Sequence, residues 1–179
     1  MHCVFLANGF EEIEAIAPID ILRRAGLEIT TIGVGGRHVE GAHGIVICAD
    51  MEESSLNVSD IESVILPGGM PGTLHLEQSV CVQNAIAHAV SNSLPVAAIC
   101  AAPSILGHGG YLSGIRATCY PGFEAELQGA IIQDTDVVTD GLFTTARGAG
   151  VAVDFALELV RRLVNEPTAT HLKEAIQCR

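Results

Sequence analysis

Apolar runs of strand length alternate with segments of helical period from one end of the sequence to the other. The strand candidates are Cys3 to Ala7, Glu28 to Gly33, Ile45 to Cys48, Ser63 to Leu66, Val96 to Ile99, Ala117 to Cys119, Val137 to Thr139 and Leu142 to Thr145. Between and after them lie helix candidates at Glu11 to Ala25, Ser79 to Ser91, Pro103 to Gly107, Val151 to Leu163 and Thr168 to Ile176, the first with Pro18 placed to kink it. This alternation predicts an α/β fold in three layers: a mostly parallel sheet with helices on both faces, whose ligands bind at the carboxyl ends of the strands. Hydrophobic residues make up 49% of the chain and charged residues only 17%, so the strands are expected to be buried on both sides. The 179 residues suit one domain spanning 1–179, because the glycine-rich pieces each fit a turn and no repeat or linker intervenes.

Charge narrows the class of partner. Nine Lys and Arg stand against 21 Asp and Glu, a formal charge of -12, so no basic surface is expected to neutralise a run of phosphates or an anionic bilayer. Neither direct nucleic-acid binding nor membrane association is predicted. The apolar stretches are broken by Pro, Gly, Ser or Asn well short of the roughly 20 residues of a membrane helix. The N-terminus turns acidic at Glu11 and Glu12 without a basic region, which argues against a signal peptide. Six cysteines, at 3, 48, 81, 100, 119 and 178, show no CxxC and no framework spacing, the pattern of reduced thiols in a cytoplasmic protein. No Asp, Glu, Lys or Arg occurs from Gln78 to Ile115, and Cys100 lies in that neutral span.

Cys100 sits where the apolar run Val96 to Ile99 meets Ala101-Ala102-Pro103, with the proline suited to the first turn of a helix. Ala98 and Ala102, two positions either side, match a nucleophile elbow, in which a sharp turn lifts the central side chain above the sheet and leaves room only for small neighbours. A thiol there meets the positive end of a helix, which favours the thiolate; the plainer alternative is a buried structural cysteine. Its proton partner must come from outside the neutral span. On a helix, Glu14 has Phe10 at i-4, Ala17 at i+3, Pro18 at i+4 and Ile21 at i+7, a largely apolar stripe on which a carboxyl has a raised pKa and can share a proton with a thiol. A helix-surface glutamate is the equal alternative for Glu14, and Glu11 and Glu12 read as solvent-facing charges of the first turn.

A third element is the strand Val64 to Leu66 ending in Pro67-Gly68-Gly69-Met70. Backbone N–H groups in such a turn can approach a substrate closely, so Gly69 with Ala101 forms a candidate oxyanion site, with Gly68 and Met70 beside it. The histidines form neither a triad nor a metal-ligand spacing: His43, His75 and His108 fall in loop-like text, and no HxxH or HExxH exists. Neither a metal nor another cofactor is predicted.

The Glu-Glu-x-Glu helix, the Pro-Gly-Gly turn and the cysteine elbow together resemble those of the DJ-one/ThiJ/PfpI superfamily, in the branch of the Parkinson-disease protein and its bacterial relatives. The similarity covers nearly the whole chain through collinear markers at Gly9 to Glu14, Asp20 to Gly26, Ile47 to Asp50, Leu66 to Gly69, Ala97 to Pro103, and Thr145 to Gly150 followed by Asp154 to Leu157. The resemblance implies a flavodoxin-like sandwich, a homodimer, Cys100 as nucleophile with Glu14 as its acid partner, and Gly69 and Ala101 as backbone donors near the sulfur. It implies glutathione-independent conversion of glyoxal and methylglyoxal to hydroxy acids, of glyoxalase III type, or deglycation of early glycation adducts. The protease-like branch has a histidine after the nucleophile where this chain has Ala101, so proteolysis is disfavoured. A histidine near the cysteine in human-type relatives falls at Tyr120. Cys48 matches a dimer-facing cysteine, and Arg24 and Arg147 match interface or anion-site positions, with a surface ion pair as the plain alternative for each arginine.

Two functions fit these residues. One is an enzyme for small reactive aldehydes or glycated adducts working through Cys100 and Glu14. The other is a redox sensor or chaperone in which Cys100 oxidises to a sulfinate stabilised by a protonated Glu14. One tuned thiol serves both, but an acid poised beside it suits covalent catalysis, which favours the enzyme.

Overall fold

Along the chain the elements are β1 (His2–Leu6), α1 (Glu12–Arg24), β2 (Ile29–Gly33), β3 (His38–Glu40), β4 (Val46–Cys48), β5 (Met51–Glu52), β6 (Ser63–Leu66), α2 (Gly72–Gln78), α3 (Val80–Ser91), β7 (Val96–Ile99), α4 (Pro103–His108), β8 (Arg116–Ala117), β9 (Ile131–Ile132), β10 (Val137–Asp140), β11 (Phe143–Ala146), α5 (Ala152–Leu163) and α6 (Glu166–Ala175). They are taken from a computed structural model, which describes residues 1–178. Short 3-10 turns at Glu53–Ser55, Val58–Asp60, Glu124–Glu126 and Ala149–Val151 complete the path.

Seven strands form the main sheet in the order β10-β11-β7-β6-β1-β2-β5. All its neighbours run parallel except the edge pair β10 and β11. The register places His2 beside both Ile29 and Ser63, and Val96 beside both Val64 and Phe143. Successive side chains on a strand face opposite ways, so Cys3 and Phe5 join Val64, Leu66, Val96 and Ala98 in a core closed by Val82 and Ile86 of α3 and Leu106 of α4. Val4 and Leu6 join Ile65, Ala97 and Ile99 in a second core, under Leu22 of α1 and Phe155 and Val160 of α5. Two cores on one sheet account for the continuous apolar runs and give the expected flavodoxin-like sandwich.

The sequence expectations shift in several places, and β3, β5 and β9 are strands beyond the candidates. Ile45 to Cys48 is strand only from Val46 and pairs antiparallel with β3, making a hairpin outside the main sheet. Ala117 to Cys119 shortens to β8, which pairs with β9; beyond it the Thr118 N–H turns to Thr145 Oγ1 and the Tyr120 N–H to the Cys100 carbonyl. The helix α2 has no signal in its own residues, since Gly72, Thr73 and His75 are poor helix formers. α6 begins at Glu166, ahead of Thr168, because Asn165 Oδ1 caps it by accepting the Thr168 N–H at 2.9 Å. Pro18 lies inside α1, which runs on through it. No helix among the described residues is long and apolar enough to cross a membrane.

Candidate active site

Cys100 follows β7 directly, at the carboxyl edge of the sheet. Its φ is +66°, in the left-handed region that a non-glycine residue enters at a cost of about 1 to 3 kcal/mol. Two bonds of 2.8 Å hold it there: its N–H donates to the Ala146 carbonyl, and its carbonyl accepts the Tyr120 N–H. Ala98 and Ala102 are fully buried around the bend, and Pro103 opens α4 just beyond. This is the sharp turn that the small residues predict.

Glu14 comes from the first turn of α1 and is 1% exposed. Its Oε2 accepts the Gly68 N–H at 2.9 Å. Oε1 is buried with no hydrogen-bond partner, and the carboxyl faces the Cys100 thiol closely enough for each group to shift the other's proton equilibrium. Gly68 is what allows this approach: a Cβ there would lie 2.6 Å from Glu14 Oε2, 2.7 Å from the Cys100 Cβ and 2.9 Å from the Ile99 carbonyl oxygen. The Gly69 and Ala101 N–H groups stand beside the sulfur and favour its charged form.

Burial pushes Glu14 up to about 7, against the opposing pull of the Cys100 and Gly68 hydrogen bonds. The same burial, together with an ionised Glu14, pushes the Cys100 thiol up to about 12, while the Ala101 and Gly69 donors act the other way. When Glu14 carries the proton, its negative charge no longer opposes the thiolate and the two backbone donors remain. Between those two values the pair holds a single proton, and the arrangement that makes sulfur nucleophilic is the one that leaves it on Glu14, facing a thiolate.

The other predicted positions spread around this pair. Met70 is half exposed beside a cavity of about 200 Å³ that Thr73, Ser104 and Phe123 also line. Tyr120 and Arg147 line another of about 390 Å³; the Tyr120 ring meets Phe123 edge-on at 6.4 Å, and Arg147 Nη1 lies 3.6 Å from Asp136 and 3.7 Å from Asp134. Arg24 pairs with Asp20 at 2.8 Å in the exposed last turn of α1, about 15 Å along the helix from Glu14 at 1.5 Å per residue. Cys48 is exposed on the β3–β4 hairpin.

Glu12 departs from its surface reading: it is 6% exposed. The hairpin folds over it, with the His43 N–H at 2.7 Å from Oε1 and His43 Nδ1 at 2.8 Å from Oε2. Burial would raise this carboxyl, but the bonds from His43 and the backbone, Ile45 included, hold it down at about 2. Glu11, Glu12 and His43 bring one ligand atom each within 4.8 Å of one another, the only such group among the described residues. Those three hydrogen bonds already occupy Glu12, which makes it an anchor for the hairpin. His108, read as loop, closes α4 with a carboxylate at each ring nitrogen. Nothing in the local sequence announces either cluster, because both join residues about 20 to 30 positions apart.

The sequence profile of the DJ-1/PfpI family matches residues 2–162. This chain belongs to the DJ-1/PfpI family. Its family relatives include protein dj-1beta of Drosophila melanogaster, 36% identical over 91% of this chain and 89% of that protein. The crystal structure of Drosophila melanogaster DJ-1beta superposes with a TM-score of 0.93, covering 99% of this chain and 97% of that one at 33% identity. A Pyrococcus horikoshii family member named as a deglycase is 32% identical over 82% of this chain and 90% of its own length. The structure of Toxoplasma gondii DJ-1, oxidized, has a TM-score of 0.94 and 29% identity, covering 98% of this chain and 96% of that one.

Proposed function

We propose that the protein is a cofactor-independent cysteine enzyme acting on small reactive aldehydes, converting glyoxal or methylglyoxal to the hydroxy acid, or removing early glycation adducts by the same chemistry. The observation that carries this reading is the Cys100–Glu14 pair: a thiol on a strained elbow whose buried neighbour carries a proton near neutral pH. The deglycase name of the Pyrococcus horikoshii relative supports it.

With methylglyoxal, the Cys100 thiolate adds to the aldehyde carbon, and the proton of Glu14 neutralises the new alkoxide, giving a hemithioacetal. Glu14, now a carboxylate, takes the hydrogen from that carbon as a proton. The electron pair left behind forms an enediolate with the adjacent carbonyl; Glu14 returns the proton to the second carbon, and the hydroxyl proton of the first carbon passes to the oxygen of the second. The product is a thioester of the 2-hydroxy acid. Water releases lactate and restores the thiol, so the sum is methylglyoxal plus water to lactate, with no oxidant. The Gly69 and Ala101 N–H groups favour the negative charge at the start and on the oxygen that faces them later. In an early glycation adduct, a hemiaminal, the same sulfur displaces the amine from its carbon while Glu14 protonates the leaving nitrogen, which frees the amine and gives the same hemithioacetal.

Purified protein incubated with methylglyoxal and no glutathione should form lactate. Cys100→Ser and Glu14→Ala should each lower the rate by at least about a hundredfold, the usual scale for a lost nucleophile or acid–base group. Unchanged lactate formation in both variants removes the catalytic assignment.

A second reading is favoured by the same raised acid: a neutral Glu14 is a ready hydrogen-bond donor to an oxidised sulfur, which suits redox sensing at Cys100. Mild peroxide should then place oxygen on Cys100 before Cys48 or Cys119; uniform oxidation argues against it. We also propose a homodimer. Ile13 and Ile16 of α1 and Ile45 and Val46 of the hairpin are large, exposed and close together, with Ile13, Ile16 and Ile45 lining one apolar hollow of about 430 Å³. Such an apolar face, with Glu12 and Asp20 also lining the hollow, suits a second copy of the chain.

A further inference from the structure

His108 lies outside the Cys100–Glu14 pair, yet it joins three segments that reach it. Its Nδ1 is 2.5 Å from Glu77 Oε1 on α2, and its Nε2 is 2.8 Å from Glu126 Oε2 on the Glu124–Glu126 turn. A neutral imidazole has a single N–H and would turn a lone pair toward one of these carboxylates. A carboxylate at each ring nitrogen is satisfied only by the imidazolium.

Each of the three segments begins beside the sulfur. α2 follows the Gly68–Met70 turn, whose backbone meets Glu14 and Cys100. α4 follows Cys100 through Ala101 and Ala102. From Glu126 the chain leads back to Phe123, whose N–H donates to the Tyr120 carbonyl, and on to Tyr120, whose N–H holds the Cys100 carbonyl. Gly107 lets that turn press against α4: a Cβ there would lie 2.2 Å from the Glu126 carbonyl oxygen and 2.7 Å from the Leu127 Cα. The cavity of about 200 Å³ between Met70 and Phe123 has this triad as one of its walls.

We infer that His108 is a positioning residue for the Cys100 site: held as an imidazolium between Glu77 and Glu126, it fastens the far ends of the three segments and so fixes where the Gly69 and Ala101 N–H groups stand relative to the sulfur. The inference rests on Cys100 as the reactive group of the proposed function, and its test uses no aldehyde. The remaining polar groups nearby are engaged or uncharged. His75 on α2 has Nδ1 at 2.8 Å from the Asn8 carbonyl, Glu124 on the turn accepts the Gly122 N–H, and Tyr111 follows α4. Glu126 first and Glu77 second raise His108 above its ordinary value of 6.5. A raised histidine is linked to a bridge that is complete below that ordinary value and lost as pH rises through the shifted one.

The experiment combines a histidine NMR titration of the full chain with the rate of Cys100 alkylation by iodoacetamide, read by peptide mass spectrometry across the neutral and alkaline range. In the parent protein the His108 resonance should titrate above the ordinary histidine range, and fall back toward it in the Glu77→Gln/Glu126→Gln double variant. His108→Leu should slow Cys100 alkylation at neutral pH by at least about threefold, the scale of couplings carried through packed segments. It should also abolish the alkaline departure from a simple thiol titration that is expected of the parent. Glu126→Gln should fall between the two, and it decides the matter on the same readouts if the leucine variant does not fold. A His108 that titrates at its ordinary value, or a leucine variant with the parent rate and pH profile, overturns the inference. Absence of lactate formation bears on the aldehyde reading alone.

Discussion

Two glutamates separated by a single residue are driven in opposite directions. Glu12 and Glu14 are both buried, but Glu12 receives hydrogen bonds from the His43 side chain and from backbone N–H groups, whereas Glu14 receives one backbone N–H and faces a thiol. The number of donors decides which way each proton equilibrium moves. Glu14, raised from 4.5 to about 7, weakens the fold as pH rises through that interval. The full effect is about 3 kcal/mol at 1.36 kcal/mol per unit. Glu14→Gln keeps an acceptor for Gly68 and has no such cost, so its denaturant midpoint should pull ahead of the parent between pH 5 and 8, as urea melts at both values would show. Glu12 has the other sign: its contribution is present above its unfolded value and is lost as pH falls from 4.5 toward 2. Glu12→Gln should therefore be less stable than the parent at neutral pH, with the gap closing in acid. Equal pH dependence of the three proteins contradicts this assignment.

At the scale of elements, the main strands and the long helices were legible because each carries its own period, apolar after the first residue for β1 and β6, apolar throughout for β7, and amphipathic for α5. The elbow was legible too, since Ala98, Ala102 and Pro103 surround Cys100 within a few residues. What could not be read was held by contacts distant in sequence. α2 exists because the chain after Gly69 must turn back over the Asn8–Phe10 corner, with the Gly72 N–H on the Gly9 carbonyl at 3.1 Å. The burial of Glu12 depends on a hairpin about 30 positions away. The Gly68 turn belongs to the same class: its two glycines are visible in sequence, but the reason for the first is the Glu14 carboxyl on another element. Gly68→Ala should cost about 1 to 3 kcal/mol as an overpacked core does, because the Ile99 carbonyl that the new Cβ would meet is backbone within the sheet edge. The variant should also slow Cys100 alkylation by displacing Glu14. A Gly68→Ala protein with the parent melting temperature and thiol reactivity shows that the turn has slack this geometry denies it.

For the whole molecule, the apolar hollow on α1 and the β3–β4 hairpin sets the expectation for assembly. Ile16→Glu adds a charge to that hollow, which Ile13, Ala17 and Ile45 line together with Glu12 and Asp20. A buried unpaired charge costs several kcal/mol, so sedimentation at micromolar concentration should find the parent at twice the chain mass and the variant at the chain mass. A parent that sediments as one chain places the proposed dimer on no firm ground. The placement of Glu12 then has a consequence for function. This one side chain buckles the hairpin to the helical turn that also bears Glu14, so the surface a second copy would cover and the acid opposite the sulfur ride on a single rigid part. In the proposed dimer, covering that face acts on the helix that carries Glu14, and dilution of the protein should then shift the pH profile of Cys100 alkylation.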